Sequence, residues 1–464
     1  MSRILPAALA GLYLWATVSG CSLAPEYVRP GLPVPDGIGS PQKITTSQNV
    51  PGWEAFFREP RLKALIETAI KENRDLKMAA LNVLAARADY GIARADRLPS
   101  LEAQGQKSVT GGPERDTTRS YELSAMSAFE ADFFGRLRNM TEAAFERYLA
   151  SEEAALAARL SLIARVAEAY LESRTAQEGL GLARRTQANW RDSLAFIEQR
   201  LISGQSALLD LEQARAQAAR AEAAVAESEV ALSRADSSLK LLLGAQKDII
   251  LPPAWTLAEW PEMHLPENIS SLTLLKRPDI LEAEHQLIAS HADIGAARAA
   301  FFPSLSLTGQ FGYMSGELNT LAAGSNAAWN FLPRLTVPLF AGGRNRQNLE
   351  LAEVRRSQAV AAYEKAVQTA FREVSEALLV RPRLIKQHSA QLNYINVQRR
   401  VLELAQNRYQ NGVISYLEVL EAQRDVFEAE MALLNIRRSQ LLNDISLYLA
   451  LGGGLDTPAP VLAD

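Results

Sequence analysis

The stretch that decides the fold runs from Arg408 to Gln423 and reads RYQNGVISYLEVLEAQ. An earlier version begins at Arg200, and it aligns Gly204 with Gly412 at an offset of 208 residues (412 − 204). In each copy the glycine follows a long segment of apolar period, and a fresh Leu, Val and Ala period begins soon after it. Glycine supplies the positive φ at which many helices end. Each half of the chain is therefore predicted to hold a helical hairpin with a polar tip.

Composition and charge limit the class of protein. The chain has 464 residues, of which 48% are hydrophobic and 22% are charged, so it can bury large cores. The repeat favours two copies of one unit. A net charge of −4 gives no reason to expect nucleic acid as a partner. One cysteine and four histidines leave little for metal or thiol chemistry, and we expect no metal site.

The amino terminus has the pattern of a secretory signal peptide over residues 1–20. Arg3 is followed by an apolar run over residues 4–18, and the small residues Ser19 and Gly20 stand directly before Cys21. This run is too short and wrongly flanked for a helix that spans a membrane. Removal of this segment would leave Cys21 as the first residue of the mature protein.

The sequence Val18-Ser19-Gly20-Cys21 resembles a bacterial lipobox, in which the cysteine carries covalent lipid such as palmitate. An ordinary signal peptide with a chance cysteine is the alternative, although the chain has no second cysteine for a disulfide. The resemblance also implies that serine at position 22, in place of aspartate, favours the outer membrane. Lipid chains anchor a protein but do not span the bilayer. No other cofactor is expected.

Two pairs of strands are indicated by alternation of apolar and polar residues. They cover about residues 99–109 and 121–133 in the first half, and 303–315 and 329–340 in the second. Their length suits a membrane, since roughly 9–11 tilted residues cross the hydrocarbon. A soluble, half-buried hairpin is the alternative.

The remaining elements are predicted to be helical. Short helices are expected at about 61–71 and 75–97, and long ones at about 136–201, 207–243, 345–409 and 418–451. Sixty-six residues of helix would span on the order of 100 Å. Pro382 is expected to bend the third long helix. The frequent alanines imply close approach between neighbouring helices, as in a coiled-coil assembly.

The repeats also set the predicted domain bounds. Residues 88–95 return as 292–299, and Pro99-Ser100-Leu101 returns as Pro303-Ser304-Leu305, now at an offset of 204. The first 60 residues hold the signal peptide and, over 21–60, a lipidated arm; from 22 to about 51 this arm is expected to be extended rather than packed. The other bounds are a first repeat at 61–250, a linker at 251–270, a second repeat at 271–455 and a tail at 456–464.

Four strands in one chain cannot close a membrane barrel, for which about eight is the practical minimum. Open strand edges are not tolerated in lipid, so several chains must contribute to one barrel. Strand counting permits a dimer with eight strands or a trimer with twelve, and it does not choose between them.

Several separated motifs, in order, resemble the TolC-like outer membrane factors, and most closely the lipid-anchored NodT-type branch. The match covers nearly the whole mature chain. It rests on Cys21 followed by PEYVRP at 25–30, RPDI at 277–280, FPSL at 302–305, and RYxxG at 408–412 continuing to VLEAQ at 419–423. The resemblance implies a mainly α-helical trimer in which repeated hairpins form an α-barrel through the periplasm and the strands form a 12-stranded outer membrane β-barrel.

The same resemblance implies the partners and the role. The channel would be the exit duct of a tripartite efflux system that carries drugs or other small molecules, with a periplasmic adaptor protein and an inner-membrane pump of RND type. The adaptor would contact the two tips. The tip residues concerned are Leu201, Gly204, Leu209, Tyr409, Gly412 and Leu417.

A gate at the periplasmic end is also implied by the resemblance. Glu418 and Glu421 fall where the family places acidic residues that narrow the entrance, and their spacing puts both on one helix face. Asp210 is the counterpart of Glu418 in the first repeat, whereas Gln213 replaces the second acid. A solvated acidic helix start is the alternative. Ile414 stands where TolC has an arginine that helps to lock the closed state, so any lock here must use other contacts.

Neither an enzyme nor a pore-less protein is favoured. Glu282-x-x-His285 has the spacing of half a di-iron site, but no second such motif occurs, and Gly452-Gly453-Gly454 is predicted to be a helix cap and not a phosphate loop. The rival from another class is a lipid-anchored periplasmic coiled-coil scaffold or adaptor without a pore. Such proteins do not need two pairs of membrane-length strands.

Overall fold

A computed structural model describes residues 22–38, 50–113, 115–244, 251–261 and 269–454. Cys21, the signal peptide and the tail at 456–464 lie outside the described residues. The chain forms two compact units, each assembled from three segments. The first contains the described residues of 1–31, 81–153 and 281–365, and the second those of 32–80, 154–280 and 366–464.

Long helices dominate the described chain. The α-helices are α1 Trp53–Phe56, α2 Pro60–Glu72, α3 Arg74–Ala95, α4 Arg136–Ile202, α5 Leu208–Leu243, α6 Pro278–Ala299, α7 Arg344–Gln410 and α8 Tyr416–Ala450. The predicted helices therefore end within a few residues of the observed ones. Helix α7 continues through Pro382. Within the described parts of the chain, none of these helices combines the length and the hydropathy required of a membrane span.

The first unit contains an antiparallel sheet with strand order β2-β3-β5-β6. Its strands are β2 Ser100–Gly112, β3 Arg115–Ala131, β5 Ser304–Ser315 and β6 Ala327–Thr336. Two further short strands, β1 Gly37–Ile38 and β4 Ile269–Ser270, pair with each other in the second unit. The central pairing of β3 with β5 joins the two repeats, with Ala125 opposite Phe311. The predicted hairpins of each repeat are thereby merged into one sheet.

The register gives the sheet one apolar and one polar face. Odd-numbered residues share a face because Ala125 pairs with Phe311 and Phe311 pairs with Trp329, and side chains alternate along a strand. Even-numbered residues form the other face, where the Gln310 amide donates to Glu122 at 2.8 Å and to Ser124 at 3.0 Å. This two-faced pattern is what a strand between lipid and a polar lumen requires.

The strand ends differ from the prediction in two places. Strand β6 ends at Thr336 although the alternation continues to about 340. The first hairpin instead extends beyond the predicted end, with Thr110 paired to Thr118 and a register shift before Gly112. Apolar periodicity did not reveal this part, since its residues are polar on both faces.

The second unit is held together by buried polar residues as well as by apolar packing. Glu59 is almost fully buried, and its carboxylate accepts hydrogen bonds from the Leu62 N–H at 2.6 Å, the Tyr170 hydroxyl at 2.7 Å and the Trp255 N–H at 3.1 Å. It therefore ties α2, α4 and the linker together. A buried carboxylate is tolerated when its oxygens are paired in this way.

The end of α8 is closed by the three consecutive glycines. The Gly452 N–H donates to the Leu449 carbonyl at 2.9 Å and the Gly453 N–H donates to the Tyr448 carbonyl at 3.1 Å. This is the hydrogen-bonding pattern of a glycine-terminated helix. The predicted helix cap is confirmed.

Candidate functional site: the paired helical tips

The two turns identified in the sequence share one hydrogen-bond pattern. At the first turn the Gly204 N–H donates to the Leu201 carbonyl at 3.0 Å, and the next N–H donates to the Arg200 carbonyl at 2.8 Å. At the second turn the Gly412 N–H donates to the Tyr409 carbonyl at 2.9 Å, and the next N–H reaches the Arg408 carbonyl at 2.9 Å. Both glycines have positive φ, 71° and 72°. The repeat is therefore conserved in backbone geometry between the two halves.

Both hairpins contribute to one buried cluster beneath the turns. Its members are Ile197, Leu211, Ala214, Tyr409, Tyr416, Val419 and Leu420. The rings of Tyr409 and Tyr416 lie 5.3 Å apart, and the Arg200 guanidinium lies 4.9 Å from the centre of the Tyr409 ring. Burial raises the pKa of Tyr416 to about 12, so its phenol stays neutral. The two tips thus pack as one body in the second unit.

The predicted tip residues separate into supporting and exposed ones. Tyr409 is only 8% exposed, and Leu201 packs against the buried cluster, so both support the tip. Leu209 and Leu417 are exposed, at 66% and 45%. Contact of any of these residues with an adaptor stays a prediction.

Three exposed apolar residues at the turns were missed by the sequence analysis. Ile202 is 87% exposed, and Leu208 and Val413 are also exposed. The available signal was an apolar residue in the turn or at the helix end beside it. With Leu209 and Leu417 they form an apolar surface around two glycine turns.

Two of the three predicted gate acids, Glu418 and Glu421, have side chains that are open to solvent. Glu418 and Glu421 are exposed on the first turns of α8, while Val419 and Leu420 between them are buried. In the part of the chain that the structure describes, neither carboxylate forms an ion pair. Both charges are therefore free to act on solvent or on an ion.

Asp210 lies at the start of α5, where its carboxylate accepts hydrogen bonds from the Ser206 hydroxyl at 2.9 Å and the Ala207 N–H at 3.2 Å. An acidic side chain in this position stabilises a helix start. Ile414 packs against the buried cluster. It therefore contributes apolar contact at the second turn.

Farther from the turns the acids have basic neighbours. Glu428 lies 3.9 Å from both Arg220 and Arg424, and Glu198 lies 3.8 Å from Arg215. Such exposed pairs contribute little to stability. They do neutralise charge locally, whereas Glu418 and Glu421 have no such basic neighbour among the described residues.

His285 of the Glu-x-x-His motif contacts a carboxylate on another helix. His285 is 2.6 Å from the Glu146 carboxylate, which comes from α4 in the same unit. Across the described ranges, no group of three His, Cys, Asp or Glu side chains is arranged to hold a metal ion. His285 therefore takes part in a contact between α4 and α6.

Together the repeated hairpins, the two-faced sheet and the paired tips define a channel protein of the outer membrane. The sequence profile of the outer membrane efflux proteins matches residues 65–245 and 269–453. The chain therefore belongs to the outer membrane efflux protein family.

Curated relatives and a solved structure agree with this assignment. The chain is 43% identical over 445 residues to the cation efflux system protein CusC of Escherichia coli O6:H1, covering 94% of this chain and 96% of that protein. It is 42% identical over 444 residues to the probable outer membrane lipoprotein SilC of Salmonella typhimurium, with coverage of 94% and 96%. The open state of the Neisseria gonorrhoeae MtrE outer membrane channel is 35% identical and has a TM-score of 0.85, covering 94% of this chain and 99% of that one.

These findings establish the class and the location. The protein is an outer membrane exit duct of an efflux system, and its fold is that of the trimeric efflux channels, with a helical periplasmic tunnel and membrane strands. The family consists of transport proteins and not of enzymes. The soluble hairpin and the pore-less scaffold are therefore set aside.

Proposed function

We propose that the protein works as a homotrimer that receives small molecules from a periplasmic adaptor and an inner-membrane pump of RND type and releases them outside the cell. The observation that carries the proposal is the open sheet. Strands β2 and β6 each have one partner in the described chain, so one edge of each is unpaired. Three copies would pair these edges and give twelve strands. The protein itself would perform no chemistry on its cargo.

The test of the proposed assembly is the detergent-corrected mass of the extracted mature protein, measured by light scattering on a size-exclusion column. Three chains are expected. A stable monomer would leave open edges in the membrane and overturn the proposal, and a dimer would replace it with an eight-stranded barrel. The adaptor is tested separately by its co-purification with the trimer.

The entrance to the channel is proposed to lie at the paired tips. Glu418 and Glu421 would form two anionic rings by symmetry, and Asp210 would add a charge from the first tip. Support comes from the exposure of both glutamates and from the lack of ion pairs to them among the described residues. The exposed apolar surface around the turns fits an adaptor that buries it on docking.

We also propose that Cys21 carries the covalent lipid anchor and that the protein needs no other cofactor. The expected result for Cys21→Ala is loss of incorporated radioactive palmitate together with retention of the signal peptide, since the lipobox cysteine directs both modifications. The measurement is autoradiography of the immunoprecipitated protein and the mass of its N-terminal peptide. Because Cys21 is the only cysteine, a free thiol in the wild-type protein would contradict the proposal directly.

A further inference from the structure

The residues directly after the proposed lipid site are fixed along a helix. Residues 22–29, here called the strap, run antiparallel to α6 in the first unit. The Leu23 carbonyl accepts from Arg298 at 3.2 Å, the Pro25 carbonyl lies 3.5 Å from His291, and Arg29 reaches Glu284. This part of the arm has no helix or strand, and long-range polar contacts hold it against α6.

The spacing of these contacts matches an extended chain laid on a helix. Six residues of extended strap cover roughly 20 Å. The fourteen residues of α6 between Glu284 and Arg298 rise about 21 Å. The strap can therefore contact α6 along its length without a bulge.

The C-terminal end of the strap is bound by the buried carboxylate of Glu284, which we call the clip. Glu284 is 6% exposed, and it binds the Arg29 guanidinium with two hydrogen bonds of 2.7 Å. The Tyr27 hydroxyl donates to the same carboxylate at 2.8 Å. Burial, and the neighbouring carboxylate, raise the pKa of Tyr27, so its hydroxyl remains a donor. A bidentate arginine pair of this kind is more specific than a single exposed ion pair.

The N-terminal end of the strap lies in a space formed by Gly295 and Asn139, which we call the seat. A Cβ atom at Gly295 would lie 2.5 Å from the Asn139 amide nitrogen and 2.8 Å from both the Cβ and the N of Ala24. The Asn139 side chain is buried and accepts a hydrogen bond from the Ser22 hydroxyl at 2.8 Å. Only glycine at position 295 leaves room for the strap.

The internal repeat allows Gly295 to be compared with the equivalent glycine of the first repeat. Gly91 of α3 is the counterpart of Gly295, and nothing lies within 4 Å of a Cβ added there. The sequence alone could not distinguish the two glycines. In the described chain, the strap occupies the position at 295 and not its repeat equivalent.

The seat lies close to the ends of the membrane strands. Asn139 is in the first turn of α4, which begins shortly after β3, and Gly295 is in the last two turns of α6, which leads into β5. The strap therefore brings Ser22 close to the helix ends that connect to β3 and β5.

We propose that the strap, held by the seat of Gly295 and Asn139 and by the Glu284 clip, fixes the N-terminal membrane anchor beside the strands. The position of the anchor is then set by the folded protein and not by the lipid alone. This inference rests on the lipidation proposed above for Cys21. The strap would keep the anchor and the strands of one chain at the same membrane surface.

The test is limited proteolysis with chymotrypsin of the purified full-length protein in detergent. The mass of the chain is used to measure cleavage after Tyr27. This cleavage reports release of the strap whether or not the lipid is present. Cleavage is expected to be about tenfold faster in Gly295→Ala than in the wild type, because cleavage tracks the population of the released strap. Gly91→Ala, the repeat-matched control, is expected to behave as the wild type.

Arg29→Gln provides a second variant, in which the substituted residue belongs to the strap and not to a helix. It is expected to accelerate the same cleavage. Wild-type rates in both Gly295→Ala and Arg29→Gln would overturn the inference, as would equal acceleration by Gly91→Ala and Gly295→Ala. Palmitate labelling is measured on the same samples, so absence of the lipid is recorded separately as a failure of the proposed lipidation.

Discussion

The double variant Glu418→Gln, Glu421→Gln is expected to lose most of its preference for cations. Glutamine keeps the size of the side chain and removes the charge, so packing of the tip should be unaffected. A unit charge at 4 Å attracts a monovalent cation by about 1 kcal/mol even in water, which corresponds to roughly a fivefold change in local concentration. Two rings act together, so the ratio of cation to anion permeability should fall at least fivefold. The reversal potential of single channels in a planar bilayer under a salt gradient measures this ratio.

A matched control is available on α7. Glu350 and Glu353 have the same spacing and are also exposed, but they lie near the start of α7, whereas the second turn follows its end. Their double glutamine variant should retain the wild-type reversal potential. An unchanged reversal potential in the Glu418 and Glu421 variant would show that the two acids only stabilise the start of α8.

Gly312→Ala is expected to prevent most of the protein from assembling in the membrane. Gly312 pairs with Ser124 in the register of β5 and β3, and an added Cβ would lie 2.6 Å from the Ser124 Cα and 2.7 Å from its Cβ. These distances are shorter than real carbon contacts, and the Ser124 backbone is held by strands on both sides. Overpacking of this kind costs ~1–3 kcal/mol, so at least a fivefold loss of assembled channel is expected. Unheated gel electrophoresis of outer membrane fractions measures the assembled form.

The control is Gly309→Ala in the same strand. Gly309 lies on the opposite face, and nothing is within 4 Å of a Cβ added there. Glycine is lost from a strand in both variants, so the backbone effect is the same. Equal amounts of assembled channel in the two variants would contradict the role assigned to Gly312.

Local periodicity explains why so much of the fold could be predicted. Helix α4 begins at Arg136 and ends at Ile202, within one residue of the prediction, because helix formers continue without proline until the glycine turn. The strands were found because lipid on one side and polar contacts on the other impose strict alternation. Polar hairpin ends such as Thr110 and Thr118 give no such signal.

Contacts between distant segments could not be predicted. The hydrogen bond from Ser22 to Asn139 joins residues 117 positions apart and leaves no period in the sequence. In the same way, burial of Tyr409 depends on how the two hairpins pack. The sequence therefore located the candidate site at the tips but did not separate its supporting residues from its exposed ones.

The unequal use of acid at the two turns has a consequence for the electric field at the entrance. The first tip offers Asp210, which is hydrogen-bonded to its own helix start, and Gln213, whereas the second offers two unpaired glutamates. Around the axis of the proposed trimer, six tips would then alternate between weakly and strongly negative. The backbone ring would have sixfold pseudosymmetry. The electrostatic potential that an approaching cation meets would instead be threefold, with three strongly negative regions separated by three more neutral ones.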